Sequence, residues 1–260
     1  MKLGVVGKGG VGKTTISALI AEAYAARGKR VVAIDTDSNP NLGISLGLRA
    51  VDAEAVPVVP RNVVTGPGPE LEGDELLATY GRDTPAGVTL LSAMRVDQAA
   101  AGCTCGSHAA VRGMLRDVLD DEADVTIVDM EAGLEHLSRS GGTLAYADVL
   151  LMVMEPSRKS VLTAARTVAL ADELGIPRSI GIGNKARLPE DAAFFAEACA
   201  AQGVEVAAVI PLDAAIPAAD RAGTGVTGAD VTEARAAVSD LVDRLETSPP
   251  TTRRAAAPAP

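Results

Sequence analysis

Along the chain, short apolar runs alternate with longer stretches in which apolar residues return every three or four positions. The runs are Lys2–Val6, Arg30–Asp35, Val88–Ser92, Val125–Asp129, Val149–Met154, Ile180–Gly183 and Val204–Ile210. Several are continuously apolar rather than alternating, which predicts strands covered on both faces, as in a parallel sheet. The stretches Ile16–Arg27, Ser160–Leu174, Pro189–Gln202 and Thr232–Leu245 predict helices; Gly28 ends the first, and Gly175 and Pro177 stop the second. Strand and helix in regular alternation predict an α/β fold, a single doubly wound, mostly parallel sheet flanked by helices. Val51–Gly87 breaks the rhythm with prolines, glycines and acidic clusters, and reads as an irregular surface excursion carrying one short helix near Glu70–Tyr80. One domain is expected over residues 1–246. Residues 247–260, rich in Pro, Ala and Thr, read as a disordered tail.

Composition narrows the classes. The 260 residues are 47% hydrophobic but only 2% aromatic, with no Trp, so the core must be built from Ala, Val, Leu and Ile. The same scarcity removes stacking platforms for single-stranded nucleic acid, and a formal net charge of −10 argues against a broad surface for phosphate backbones. No apolar run approaches membrane-spanning length, the chain enters a strand without a leader-like segment, and the tail lacks the amphipathic face of an anchor. The expectation is a cytoplasmic protein with no nucleic-acid and no membrane partner. Three cysteines in a reducing compartment read as thiols or metal ligands, not as a disulfide framework.

The chemistry starts at Gly7-Lys8-Gly9-Gly10-Val11-Gly12-Lys13-Thr14-Thr15, between the first strand and the first helix. Gly7 to Thr14 meets every fixed position of the P-loop pattern. Glycines let successive backbone N–H groups turn towards an anion, and the following helix adds its positive end. Lys13 would neutralise the β- and γ-phosphates, the Thr14 hydroxyl would hold Mg²⁺, and Thr15 would reach the α-phosphate. With Lys8 the loop takes the form KGGxGK[ST], which resembles the deviant Walker A motif of the MinD/ParA, arsenite-pump and nitrogenase iron-protein group of ATPases. That resemblance implies ATP as the nucleotide, and a dimer in which Lys8 reaches the partner's phosphates and assists catalysis; the plainer reading is a solvated surface lysine.

Two strands end in carboxylates. Asp35 and Asp37 follow the second, where Asp37 would orient the attacking water and Asp35 would support Mg²⁺ through its waters, unless the run only caps a following helix. Asp129 ends another and suits a Walker B role towards Mg²⁺, with Gly133 completing the DxxG spacing of a switch loop. Glu131, Glu135 and His136 read as partner-facing, switch or merely solvated residues. Asn184, followed by Lys185, lies just past a strand, where its amide offers a donor and an acceptor to an adenine edge, a placement that ATPase group shares.

Gly102-Cys103-Thr104-Cys105-Gly106 precedes Ser107, His108 and an amphipathic stretch to Leu119. Two thiols one residue apart can face a single soft ion, but two thiolates do not complete a site, and a two-fold axis would bring four together. Reduced unligated thiols or a strained redox pair fit the spacing as well. Cys199, in a predicted helix, reads as a small buried hydrophobe.

Gly7–Thr15, Ala33–Leu48, the Cys103–Cys105 pair, Val128–Leu137 and Gly183–Lys185 together resemble the CooC-type ATPases, which assist maturation of nickel-containing carbon monoxide dehydrogenase. The likeness runs from Met1 to about Leu245, departing in the Pro/Gly-rich stretch before Gly87 and in the tail. It implies ATP hydrolysis, a homodimer dependent on nucleotide or metal, and Ni²⁺ or Zn²⁺ between subunits on Cys103 and Cys105. It also implies backbone contacts to the base at Pro211 and Asp213, and a nickel enzyme as client. A ParA- or MinD-like positioning ATPase, an iron-protein-like reductase and a thiol-redox switch are the rival readings.

Overall fold

The computed structural model describes residues 1–60, 62–65, 71–95, 105–133, 137 and 142–248. The strands are β1 (Lys2–Gly7), β2 (Val31–Asp35), β3 (Arg82–Asp83), β4 (Thr89–Ser92), β5 (Val125–Asp129), β6 (Val149–Met154), β7 (Arg178–Ala186) and β8 (Val206–Pro211). They form one sheet in the order β3-β4-β2-β5-β1-β6-β7-β8, parallel except for the two-residue edge strand β3. The helices are α1 (Lys13–Ala26), α2 (Leu42–Ser45), α3 (Ala50–Glu54), α4 (Asn62–Thr65), α5 (Gly73–Tyr80), α6 (Cys105–Gly113), α7 (Arg158–Glu173), α8 (Pro189–Ala200), α9 (Ala215–Ala222) and α10 (Thr232–Thr247). The expected doubly wound sheet is therefore the architecture found. From β1 the chain winds outward to β2 and β4, returns to place β5 beside β1, and then runs outward on the other side through β6, β7 and β8.

Side chains on successive strand residues point to opposite faces, so each strand feeds two cores. Leu3 and Val5 of β1, Val31 and Ala33 of β2, and Val125 and Ile127 of β5 pack with α1 and α10. Val6, Val32, Ile34, Val128 and the β6 residues Leu150, Met152 and Met154 pack with α5, α6, α7 and α8. The buried aromatics are correspondingly few, chiefly Tyr24 and Phe195. Cys199 lies in the second core, its sulfur 3.9 Å from that of Met154, as expected for a buried hydrophobe.

Several boundaries differ from expectation. Helix α1 starts at Lys13, three residues before Ile16, because the P-loop lysine and threonines already form its first turn. Strand β7 runs on to Ala186 and includes Asn184 and Lys185, with a register irregularity against β8 between Gly183 and Ala186. The amphipathic stretch to Leu119 is α6 followed by a π-helical turn, Met114–Val118. Within 51–87, expected to be a surface excursion with one helix, the described residues form α3, α4, α5 and β3. Val56, Val59, Val64 and Leu76 are buried there, and the Val59 N–H donates to the carbonyl of Ser92, the last residue of β4, at 2.8 Å. Of the expected tail, residues 249–260 lie outside the described residues.

Candidate nucleotide and magnesium site

Register sets the site. Asp35 of β2 pairs with Asp129 of β5, and Asp129 in turn pairs with Val5 of β1. Both carboxylates thus end at one level, two residues before the P-loop begins at Gly7. Gly7 has φ 150°, and a Cβ there would strike the Val153 carbonyl of β6, so the loop leaves the strand where only glycine fits. Gly12 caps α1 in a left-handed conformation, φ 94°, and the first N–H groups of α1 open towards the loop. Lys8, Gly9 and Gly10 are exposed, Val11 is buried, and Thr14 and Thr15 are half-buried.

Lys13 is buried, with its Nζ 3.5 Å from the Lys8 carbonyl. Burial lowers its pKa, while Asp129, Asp37 and Glu131 favour its charged form. Asp129 Oδ1 accepts the Ser17 hydroxyl at 3.0 Å, and its carboxylate also accepts the Thr14 hydroxyl. Burial, then repulsion from Asp35, pushes Asp129 up to about 7; burial raises Asp35 to about 6 against the pull of its backbone donors. Those donors are the backbone N–H groups of Leu42 on Oδ2 at 2.9 Å, of Asp37 on Oδ1 at 3.0 Å, and of Asn41. Asp35 therefore folds the loop between β2 and α2 around itself as well as facing Asp129. Thr36 ties that loop to β5 by donating its hydroxyl to the Asp129 carbonyl at 2.8 Å, and Ser38 donates to Glu131 Oε1 at 3.2 Å. Asp37 is half-buried and accepts the Asn39 N–H at 2.9 Å.

The donor set fits Mg²⁺: hard oxygens of Thr14 and Asp129, with Asp35 beside them, and two buried carboxylates whose mutual repulsion a divalent cation would relieve. Among the described residues no group of three or more His, Cys, Asp or Glu gathers as a metal centre.

A cleft of about 480 Å³ adjoins the loop, lined by Gly12, Thr14, Thr15, Asn184, Lys185, Pro211 and Asp213 together with Ile44, Ile216, Pro217 and Val226. Its volume and apolar walls suit a nucleoside. The sequence reading found the first seven but missed the wall from α2 and α9, whose few residues carry too short an apolar period to register. Ser17 was missed too, although it lies one turn beyond Lys13 and faces the Walker B carboxylate. Asn184 and Lys185 do not point only into the cleft. Asn184 Nδ2 donates to the Val11 carbonyl at 2.8 Å, and Lys185 Nζ to the Gly10 carbonyl at 2.6 Å. Asp213 Oδ1 accepts the Ala215 N–H at 2.8 Å at the start of α9.

Of the cysteine pair, Cys103 lies outside the described residues and Cys105 opens α6. Glu135 and His136 of the switch stretch also lie outside them, while Gly133 has φ 122°. No helix among the described residues is long and apolar enough to cross a membrane.

Residues 5–226 match the family described as CobQ/CobB/MinD/ParA nucleotide binding domain. The chain is 38% identical over 237 residues to the carbon monoxide dehydrogenase accessory protein CooC of Rhodospirillum rubrum, covering 86% of this chain and 88% of that protein. It is 34% identical over 227 residues to an uncharacterised ATP-binding protein of Methanocaldococcus jannaschii, covering 82% and 86%. Among solved structures it is similar to the septum site-determining protein MinD of Pyrococcus horikoshii complexed with Mg-ADP, with TM-score 0.70 and 21% identity over 94% of this chain and 95% of that one.

Proposed function

The chain belongs to the CooC-type ATPases within the CobQ/CobB/MinD/ParA nucleotide-binding family, and from that premise we propose that it serves the maturation of carbon monoxide dehydrogenase by carrying nickel as cargo. The observation that carries this reading is the 38% identity to CooC across 86% of the chain. The fold shared with MinD supports the ATPase core alone, because one fold serves many functions.

In the hydrolysis proposed, Lys13 holds charge against the β- and γ-phosphates in a buried setting, where an electrostatic contact is stronger than in water. Thr14 directly, and Asp129 and Asp35 through water, would hold Mg²⁺, which would supply positive charge to offset the negative charge developing in the transition state. Asp37, half-buried in the loop after β2, would orient the attacking water. Lys8, exposed at the loop tip, is free to reach the nucleotide of a second copy. Ser38 and Glu131 couple the loops after β2 and β5, so a γ-phosphate that moves one moves both. At a face between two chains, Cys103 and Cys105 of each would supply four thiolates for Ni²⁺ or Zn²⁺. Hydrolysis then resets the pair.

The test is metal analysis of purified protein equilibrated with nickel, with and without ATP. One ion per two chains is expected, lost in the Cys103→Ser/Cys105→Ser double variant while ATP hydrolysis persists. An undiminished metal load in that variant sinks the cargo role.

A further inference from the structure

We propose that Lys185 and Asn184 act as positioning residues that hold the P-loop open for phosphate. This rests on reading Gly7–Thr15 as the phosphate cradle. A trans peptide unit is planar, with its carbonyl and the next residue's N–H pointing in opposite directions. Lys185 Nζ holds the Gly10 carbonyl at 2.6 Å, and Asn184 Nδ2 holds the Val11 carbonyl at 2.8 Å. Two consecutive carbonyls are thereby drawn towards β7, which turns the N–H groups of Val11 and Gly12 the other way, to the concave side of the loop. Those are donors a phosphate needs.

Three further observations agree. Lys185 has φ 60°, the only positive φ at a non-glycine among the described residues, and this conformation coincides with the irregularity of β7 that lets the Lys185 side chain reach back to the loop. A Cβ on Gly12 would lie 2.5 Å from Asn184 Nδ2, so the loop and this amide are packed at closest approach. The Asn184 amide donor is also engaged with protein while its side chain is buried, which fixes its orientation before any ligand arrives.

The test compares binding of ADP with binding of Mg²⁺-tripolyphosphate, which has neither base nor sugar, to the full chain carrying Lys, Met or Arg at 185. Lys185→Met keeps the stem and removes the donor. It is expected to weaken both ligands alike, by about tenfold or more, as for loss of a hydrogen bond from a charged group. Lys185→Arg should recover most of that loss, and amide exchange at Val11 and Gly12 should quicken in Lys185→Met at an unchanged melting temperature. A loss confined to ADP would assign Lys185 to the nucleoside and overturn the proposal, as would equal binding of both ligands by all three proteins. Wild-type protein that held neither ligand would overturn the phosphate-cradle reading itself, and the bracing role with it.

Discussion

Asp129 and Asp35 show what a side chain gains from its neighbours across a sheet. Each is an ordinary strand-end aspartate in the sequence; in the fold they face each other in register, and burial raises both, Asp129 to about 7 and Asp35 to about 6. The folded protein then binds protons more tightly than the unfolded chain between about pH 4 and 7, so stability must fall as pH rises through that window. Without nucleotide and with a chelator, the melting temperature should rise by about 5 °C on going from pH 8 to pH 6. Saturating Mg²⁺ and ADP should flatten that slope. Asp129→Asn, which can still accept the Ser17 hydroxyl, should melt higher than wild type at pH 8 in chelator yet lose Mg²⁺-dependent hydrolysis. Calorimetric melts across pH settle it, and a slope of opposite sign would refute the buried-pair account. Residue types and spacing made the P-loop and both aspartates legible, since phosphate chemistry demands them at those places. Asn184 and Lys185 line the cleft, but their contacts were not legible, because a dipeptide carries no information about which carbonyls lie opposite.

Elements differ in how much local pattern they carry. Helices α1, α7, α8 and α10 repeat their apolar period over three or more turns, and strands β2, β4, β5 and β6 are built on short runs of apolar residues, so all were readable. Helices α2, α3 and α4 have four or five residues, and β3 has two; they exist because tertiary contacts hold them, as Asp35 does by accepting the N–H of Leu42 at the start of α2. Capping gives a clean test. The Ser157 side chain accepts the Ser160 N–H at 3.3 Å at the start of α7. Ser157→Ala should cost about 1 kcal/mol, read as a melting temperature lower by about 2–4 °C with ATP hydrolysis unchanged. At the start of α1 the requirement is steric. Gly12→Ala would place a methyl against Asn184 and strain a left-handed residue, and nucleotide affinity in titration should fall by at least about tenfold.

At the scale of the molecule, an acidic chain of net charge −10 carries an ATPase core with an exposed Lys8, and under the function proposed above that lysine would act only beside a second copy. Light scattering should show the mass doubling with a non-hydrolysable ATP analogue, and Lys8→Ala should lower turnover by about 10²-fold, the scale of losing one charge-stabilising donor, without weakening ADP binding to the single chain. A mass that never doubles under any combination of nucleotide and metal would end the shared-site model. The sequence by itself determined the strand and helix alternation, the glycine-rich loop and the two strand-end carboxylates, because each is written in residues adjacent along the chain. Only the tertiary structure decided the strand order that sets Asp35 beside Asp129, the cleft wall from α2 and α9, and the clasp of Lys185 on Gly10. Those depend on groups as many as 175 residues apart, whose meeting is fixed by sheet register and core packing, and no local pattern encodes it.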